Sequence, residues 1–289
     1  MTVAEQTNGK WRIAAPCPVG DVSTLLDRLV ASGAAVALGV DFPLGLPRAY
    51  AAQHAAEADF PAFLRGLAVR PTFFSVSRTL DEVAPDRPFY PQRGLAGMTR
   101  LSHAAALGLG DAAGLSRQCD RATALRPAGA PLFWTLGANQ SGKAAISAWR
   151  DMLLPALAGP QPPALWPFDG PLHSLLRVGR VAIAETYPAE AMRQLGLRMG
   201  GSKRRQADRV MLAAPLRAAV DRAEAAPEAE LARAIENGFG ADAAGEDRFD
   251  SLIGALCVMS VLDGRRTDAA PNDPWVQRWE GWVLGQSEL

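Results

Sequence analysis

Four acidic residues stand at positions where the carboxylates of a catalytic site are often found. Asp41 and Glu185 each follow or end an apolar run, and both are succeeded by a proline-containing turn. Asp247 and Asp250 lie at the start of an apolar helical segment and, being three positions apart, are expected to share one helix face. Because hard divalent cations prefer oxygen ligands, carboxylates from two strand ends and one helix start are typical of a magnesium site.

Each of these acids also has a purely structural explanation. An acid after a strand can cap the following turn or helix, and acids at the start of a helix complement the positive end of its dipole. The catalytic interpretation therefore requires that all four acids meet in space.

A glycine-rich segment, residues 137–143, matches the phosphate-binding pattern G-x-x-x-x-G-K. It follows an apolar segment and precedes a predicted helix, which is the context that this motif requires. Ala144 stands where the motif places a magnesium-binding Ser or Thr, so the match to a nucleotide-hydrolysing loop is incomplete. Two interpretations remain: the loop and Lys143 bind one anion, or the loop is a turn with a solvated lysine.

The turn formed by Lys203, Arg204 and Arg205 is a second basic candidate. Such a turn can hold phosphates, with Lys203 as the expected contact, and the alternative is a solvated start of a helix. The three histidines have no metal-ligand spacing and no nucleophile partner, so we expect them to be structural or to lie on the surface. They are His54, His103 and His173.

The elements that must position these residues alternate between strands and helices. Strands are predicted over residues 11–15, 35–40 and 178–186, with a helix over about 21–30 between the first two. This order indicates the right-handed crossover of an α/β fold. The run before Asp41 is apolar at every position, which predicts burial on both faces, with Asp41 in the crevice beyond the strand ends.

Further helices are predicted along the rest of the chain, over residues 50–58, 98–107, 146–153, 189–195, 206–225, 228–237 and 247–262. The helix over 206–225 is expected to kink or split at Pro215. The proline-rich segment 159–171 is predicted to be a connection. A tail with three tryptophans after residue 270 is expected to fold back onto the body.

The composition is typical of a globular protein with a large core. The 289 residues include 48% hydrophobic and 21% charged positions, and the 30 basic and 30 acidic residues cancel. No global field therefore attracts nucleic acid or an anionic membrane, although a local basic groove is compatible with these totals. Three separated cysteines and the lack of a signal peptide or a long apolar run predict a reduced, cytoplasmic protein with no membrane segment.

Several motifs, taken in order, resemble the family known as domain of unknown function 429. They are Val-Asp-Phe-Pro-Leu-Gly-Leu-Pro at 40–47, Phe-Trp-Thr-Leu-Gly and the following loop at 133–143, Glu-Thr-Tyr-Pro at 185–188, Asp-Arg-Phe-Asp-Ser-Leu at 247–252 and Glu-Gly-Trp at 280–282. The resemblance covers nearly the whole chain. That family is regarded as a group of predicted nucleases with a ribonuclease-H-like fold.

The resemblance implies an α/β protein with a ribonuclease-H-like mixed sheet flanked by helices, and with helical insertions. It implies one domain over residues 1–289, with an inserted loop and helix region around 48–175. By position, Asp41, Glu185 and Asp250 would bind the metal and Asp247 would assist. One departure is that residues 1–10 lack the aspartate usual on the first strand of this fold, and Glu5 is their only acid. Three explanations are open: Glu5 takes the place of that aspartate, the first strand is incomplete in this chain, or the metal site is degenerate.

The acids and the resemblance together predict a magnesium- or manganese-dependent phosphodiester hydrolase acting on nucleic acid. In this hypothesis Lys203 or Lys143 steadies a phosphate. Two alternatives remain. One is a non-catalytic ligand-binding or regulatory protein on the same fold, and the other is a nucleotide-binding protein that uses residues 137–143.

Overall fold

The computed structural model describes residues 1–94, 97–124, 126–137 and 141–287, and it shows a mixed α/β protein with two small sheets. The strands are β1 (Ala4–Thr7), β2 (Lys10–Ile13), β3 (Val36–Val40), β4 (Ala164–Leu165), β5 (Val181–Glu185) and β6 (Ala225–Pro227). The α-helices are α1 (Leu25–Val30), α2 (Arg48–His54), α3 (Phe60–Gly66), α4 (Arg100–Ala106), α5 (Ser141–Ala148), α6 (Leu154–Ala158), α7 (Leu172–Leu175), α8 (Pro188–Gln194), α9 (Gln206–Val210), α10 (Ala213–Arg222), α11 (Ala229–Glu236) and α12 (Gly245–Leu262). Short π-helical segments cover Trp149–Leu153, between α5 and α6, and Val276–Glu280.

The first sheet has the strand order β1-β2-β6. β1 and β2 are antiparallel and are joined by Asn8 and Gly9, both with positive φ, as expected of the tight Asn-Gly turn. β6 pairs parallel to β2. Burial alternates along β2, where Trp11 and Ile13 face the core and the intervening Arg12 is exposed.

The second sheet has the order β3-β5-β4, and all of its pairings are parallel. In the register of β3 and β5, Val40 lies opposite Glu185, so Asp41 extends one residue beyond that pair. Because parallel strands open at the same edge, this register brings Asp41 and Glu185 to one end of the sheet.

The core is made of three clusters of buried side chains. The largest packs α1 to α6 against the second sheet, and it is rich in aromatic side chains from α3 and from residues 73–90. A second cluster joins β2 to α8, α10, α11 and α12. The third lies between β5, α12 and the C-terminal tail. α12 is central to this arrangement because ten of its eighteen residues are buried.

Most of the predicted elements are present, with shifted boundaries. The α/β class is confirmed, but the strands form two small sheets where one mixed sheet was predicted. The ribonuclease-H-like arrangement and the inserted region around 48–175 stay predictions. Of the described helices, none is long and apolar enough to cross a membrane.

Two predictions at the level of single elements need correction, and a third is confirmed. β3 is only half-buried over most of its length, because it is an edge strand while β5 is central and fully buried. The predicted connection 159–171 contains the two-residue strand β4. The helix predicted over 206–225 splits near Pro215 as expected: α9 ends at Val210, and Pro215 lies in the first turn of α10, where a missing N–H costs least.

Candidate functional site

A cavity of about 500 Å³ opens at the carboxyl ends of β3 and β5, and all four predicted acids line it. Its walls come from the turn after β3, residues 117–120 and 126–130, the starts of α5 and α8, the turn at 203–204, the first two turns of α12, and Val283. The structure therefore brings together Asp41, Glu185, Asp247 and Asp250, which are as much as 209 positions apart in the sequence.

The turn that presents Asp41 is held by contacts with distant parts of the chain. The Trp149 indole donates to the carbonyl of Pro43 at 2.8 Å, and the amide of Leu46 donates to the carbonyl of Trp279 at 2.7 Å. Gly45 has a φ of +142°, and a Cβ there would lie 1.9 Å from the carbonyl oxygen of Glu280. Only glycine fits this backbone crossing, so the C-terminal tail sets the path of the Asp41 turn.

Asp41 has a strongly perturbed carboxyl group. Its side chain is exposed to the solvent of the cavity, although nearby protein atoms partly desolvate the carboxyl group. Burial and, next, the charge of Asp250 raise the pKa of Asp41 to about 7, while Lys203 opposes the shift. Glu185 and Asp247 add smaller contributions in the same direction as Asp250. The cavity therefore crowds negative charge around Asp41.

Asp250, in the second turn of α12, is partly satisfied. Its Oδ2 accepts a 2.5 Å hydrogen bond from the Lys203 ammonium. Its Oδ1 is buried and has no hydrogen-bond partner among the described residues. Burial raises the pKa of Asp250, and Lys203 counteracts that rise. A buried carboxylate oxygen without a partner indicates a site where water or a cation is expected.

Asp247 lines the cavity one turn before Asp250, as their spacing predicts. Glu246, at the same end of α12, also lines the cavity and lies 3.7 Å from the Arg204 guanidinium. Glu5, the candidate substitute for a first-strand aspartate, is exposed on the edge strand β1. Glu5 is not among the described residues that line the cavity. The explanation that Glu5 replaces the first-strand aspartate therefore has no support from its position.

Glu185 has both carboxylate oxygens occupied by neighbouring donors. The Arg117 guanidinium binds it in a bidentate manner at 2.6 and 2.7 Å, and the amide of Leu44 donates to the same carboxylate at 2.7 Å. Burial raises the pKa of Glu185, and Arg117 opposes that rise. Its predicted role as a metal ligand stays a prediction, because in this arrangement the carboxylate serves an ion pair.

Arg117 and Asp120 are site residues that the sequence analysis did not identify. Arg117 is 1% exposed and also binds Asp120, through contacts of 2.9 and 3.0 Å, so one guanidinium joins two carboxylates. The i,i+3 spacing of Arg117 and Asp120 beside a short 3-10 helix was the available signal. Arg117 and Asp120 lie in a segment without clear periodicity, and the nearby sequence does not indicate that Glu185 is the second partner of Arg117.

Lys203 contacts two acids of α12, with its ammonium 2.5 Å from Asp250 and 4.0 Å from Glu246. The loop that carries it is fixed by the buried Arg209, which donates to the carbonyls of Lys203, Gly238 and Gly240. Arg209 therefore connects the Lys203 loop to the segment that leads into α12. The predicted basic turn is placed at the cavity by this contact.

The glycine-rich segment contributes less than its pattern indicates. Residues 138–140 lie outside the described part of the chain. Lys143 is exposed on α5 and is not among the described residues that line the cavity, whereas Ser141 and Ala144 are. A role of Lys143 in anion binding at this cavity therefore stays a prediction without support from its position.

The histidines lie away from the cavity, as expected. His103 is buried, contacts the carbonyl of Pro88 at 2.8 Å, and has its pKa lowered to about 4 by burial. His54 contacts the carbonyl of Leu107, and His173 contacts Asp268. Each of these contacts is structural.

Within the described residues, no three His, Cys, Asp or Glu side chains are grouped closely enough to hold a metal ion by themselves. Comparisons of the chain with protein-family models, with curated proteins and with solved structures found no match. The resemblance to the domain of unknown function 429 family therefore remains an interpretation of the ordered motifs.

Proposed function

We propose that this protein is a metal-dependent phosphodiester hydrolase acting on nucleic acid, in which Asp41 and Asp250 hold one Mg²⁺ or Mn²⁺. The observation that carries the proposal is the pair of crowded carboxylates in one cavity. Asp250 adds to the rise in the pKa of Asp41 to about 7, and Oδ1 of Asp250 is buried without a hydrogen-bond partner among the described residues. A cation between the two groups would offset their repulsion and satisfy that oxygen.

The charge of the cavity fits such a cation. Among its described lining residues are six acidic and four basic side chains. These are Asp41, Asp120, Glu185, Glu246, Asp247 and Asp250, with Arg117, Arg126, Lys203 and Arg204. With all groups ionised, the excess of negative charge equals the charge of one divalent ion. An anionic substrate would be repelled from this cavity unless that excess were balanced.

Two protein carboxylates are enough for magnesium in this kind of site. Mg²⁺ keeps several water molecules and is usually held by one or two carboxylates together with substrate phosphates. The absence of a three-ligand group among the described residues is therefore compatible with the proposal. A phosphodiester would complete the coordination.

The residues of the cavity divide the work of phosphodiester hydrolysis. When bound, the metal would activate water and neutralise charge on the departing oxygen. Lys203 keeps Asp250 in place and faces the cavity, where its ammonium can contact a phosphate. Asp247 lines the same wall and is assigned the proton that leaves the attacking water. Glu185 stays paired with Arg117 and supports the turn through the Leu44 amide.

The test is cleavage of labelled RNA, DNA and hybrid duplexes by the purified protein with Mg²⁺ or Mn²⁺. We expect Asp41→Asn and Asp250→Asn each to reduce cleavage by about a hundred-fold or more, because each removes a ligand charge from the site. Asp81→Asn is the matched control, since Asp81 is exposed and does not line the cavity. Cleavage that survives Asp41→Asn unchanged would show that these acids are not the catalysts.

A second candidate, a non-catalytic binding protein on the same fold, is favoured by the bidentate pairing of Glu185 with Arg117. That pairing withdraws one of the three predicted metal ligands from the cavity. Calorimetry separates the two candidates. Heat on addition of Mn²⁺ that disappears in Asp250→Asn supports the hydrolase, whereas binding of a small anion without any metal response supports the binding protein.

A further inference from the structure

We infer that the cavity takes a single unstacked nucleotide at the end of a single strand, so that the enzyme removes nucleotides from chain ends. This inference rests on the proposed function and names its substrate class. It is carried by the size of the cavity, by two aromatic side chains beside Asp41, and by the placement of the positive charges.

The size of the cavity fits one nucleotide rather than a duplex. Its volume of about 500 Å³ lies within the range of roughly 300–1,000 Å³ that is usual for sites binding small molecules. Elements from seven separate parts of the chain surround it, and Asp41 lines it with its side chain open to solvent. A base held in a duplex is stacked and paired, and would have to leave the stack before it could enter the cavity.

Two aromatic side chains flank Asp41 at equivalent positions of neighbouring strands. Val40 pairs with Glu185, so Phe42 and Tyr187 each lie two residues beyond the same paired position. Both line the cavity and both are half-buried, which leaves part of each ring available. Aromatic rings of this kind stack on unpaired bases of any sequence.

The positive side chains lie on other walls of the same cavity. Lys203 and Arg204 come from one turn, and Arg126 comes from the segment after the short 3-10 helix. The Arg126 guanidinium donates to the carbonyl of Cys119 and lies 3.7 Å from Glu190, which fixes its direction. A stacked base beside Phe42 or Tyr187 would leave its phosphate between these cations and the Asp41–Asp250 pair. One nucleotide therefore accounts for the aromatic, cationic and acidic parts of the lining.

The experiment compares three forms of one labelled oligonucleotide in the presence of Mn²⁺. They are the linear single strand, the same strand closed into a circle, and the strand in a blunt duplex. We expect the linear strand to be shortened stepwise with release of mononucleotides, the circle to resist cleavage, and the duplex to react at least ten-fold more slowly.

The outcomes distinguish this inference from the proposed function. If the circle is cut as fast as the linear strand and Asp41→Asn abolishes both reactions, the inference is overturned and the hydrolase stands. If no form is cleaved by the wild-type protein, the proposed function itself fails. Stepwise shortening of the linear strand alone, lost in Asp41→Asn, supports both.

Substitution of Tyr187 tests the stacking contact directly. Tyr187→Ala is expected to weaken binding of the linear strand by about ten-fold or more, whereas Tyr187→Phe keeps the ring and restores most of that binding. Affinity for Mn²⁺ alone should be unchanged in both variants, which shows that the fold and the Asp41–Asp250 pair are intact. Equal strand affinity in Tyr187→Ala and the wild type, together with normal Mn²⁺ binding, would refute the stacking contact.

Discussion

At the scale of single residues, the cavity is characterised by carboxyl groups held in unfavourable surroundings. Desolvation by nearby protein and the charges of neighbouring acids raise the pKa of Asp41 to about 7, and Asp250 has one buried oxygen without a described partner. Such groups destabilise a fold unless a proton or a cation neutralises them. Their presence beside Lys203 in one cavity is what favours a functional role over the capping role that each acid could have alone.

The raised pKa of Asp41 predicts a pH-dependent affinity for metal. Because the pKa in the folded protein, about 7, lies above the ordinary 3.8, Asp41 is largely protonated at pH 6 and ionised at pH 8. We expect Mn²⁺ affinity to rise up to ten-fold per pH unit below about pH 7 and to level off above it. Titration calorimetry with Mn²⁺ at several pH values measures this.

The same ionisation has the opposite effect on the stability of the metal-free protein. A folded pKa above the unfolded one means that the folded state binds the proton more tightly, so the free energy of unfolding falls as pH rises from about 4 towards 7.

Asp41→Asn is the control for the metal titration. It removes the titrating carboxyl group, so the variant should bind Mn²⁺ weakly and with little dependence on pH in this range. A wild-type Mn²⁺ affinity that is constant from about pH 5 to pH 8 would contradict the assignment.

At the scale of elements, the site depends on segments that cross at a few fixed points. The Asp41 turn is held by the Trp149 indole and by the tail around Gly281, where a Cβ would lie 2.0 Å from the carbonyl oxygen of Leu44. The segment around Arg117 is attached to β5 through Glu185. These contacts join segments that are far apart in the sequence and whose local sequences do not predict that they meet. Each contact restricts the direction in which the acids point.

Removal of Arg117 is expected to be strongly destabilising. Arg117→Met would leave Glu185 and Asp120 with an unpaired charge in a buried place, which typically costs about 3–5 kcal/mol of the free energy of unfolding. Arg150→Met is the matched control, because Arg150 pairs with Asp151 at 54% and 40% side-chain exposure and should contribute less than about 1 kcal/mol. Denaturant unfolding measures both variants.

A double variant separates the ion pair from general packing around Arg117. Arg117→Met with Glu185→Gln removes both charges, so part of the lost stability should return. If the double variant is no more stable than Arg117→Met alone, the buried charge of Glu185 is not the source of the cost.

At the scale of the whole molecule, positive and negative charges balance, and an excess of one sign is found only locally. The chain has 30 basic and 30 acidic residues, and its described cavity combines an acidic centre with a few cations. Long-range attraction therefore adds little to the capture of nucleic acid. Any affinity for a strand must come from a small number of contacts at the cavity, unlike that of a protein with an extended basic face.

This charge distribution predicts a weak salt dependence of strand binding. Each neutralised phosphate of a single strand contributes a slope of about −0.7 to log K against log salt, so two or three contacts give about −1.4 to −2. Binding of a labelled single strand to the wild-type protein, measured by anisotropy over a range of salt with Mn²⁺ held constant, gives this slope. A slope steeper than about −5 would require many more phosphate contacts than the cavity provides.

Much of the α/β organisation was predictable because it depends on local patterns. The apolar runs before Asp41 and through Glu185 became β3 and β5, and the helical segment at 247–262 became α12 with nearly the same bounds. The Asn8-Gly9 turn formed where its sequence predicts. β4 and β6 were not predicted because they have two and three residues and are formed by their strand partners rather than by their own composition.

The sequence by itself determined which acids end strands or begin α12, since periodicity and turn residues specify local conformation within a few positions. Only the tertiary structure decided that Asp41 and Asp250 share a cavity while Glu185 is paired with Arg117, 68 positions away along the chain. Electrostatic and hydrogen-bond partners act through space, so the charge state of a carboxyl group depends on neighbours that the local sequence does not specify.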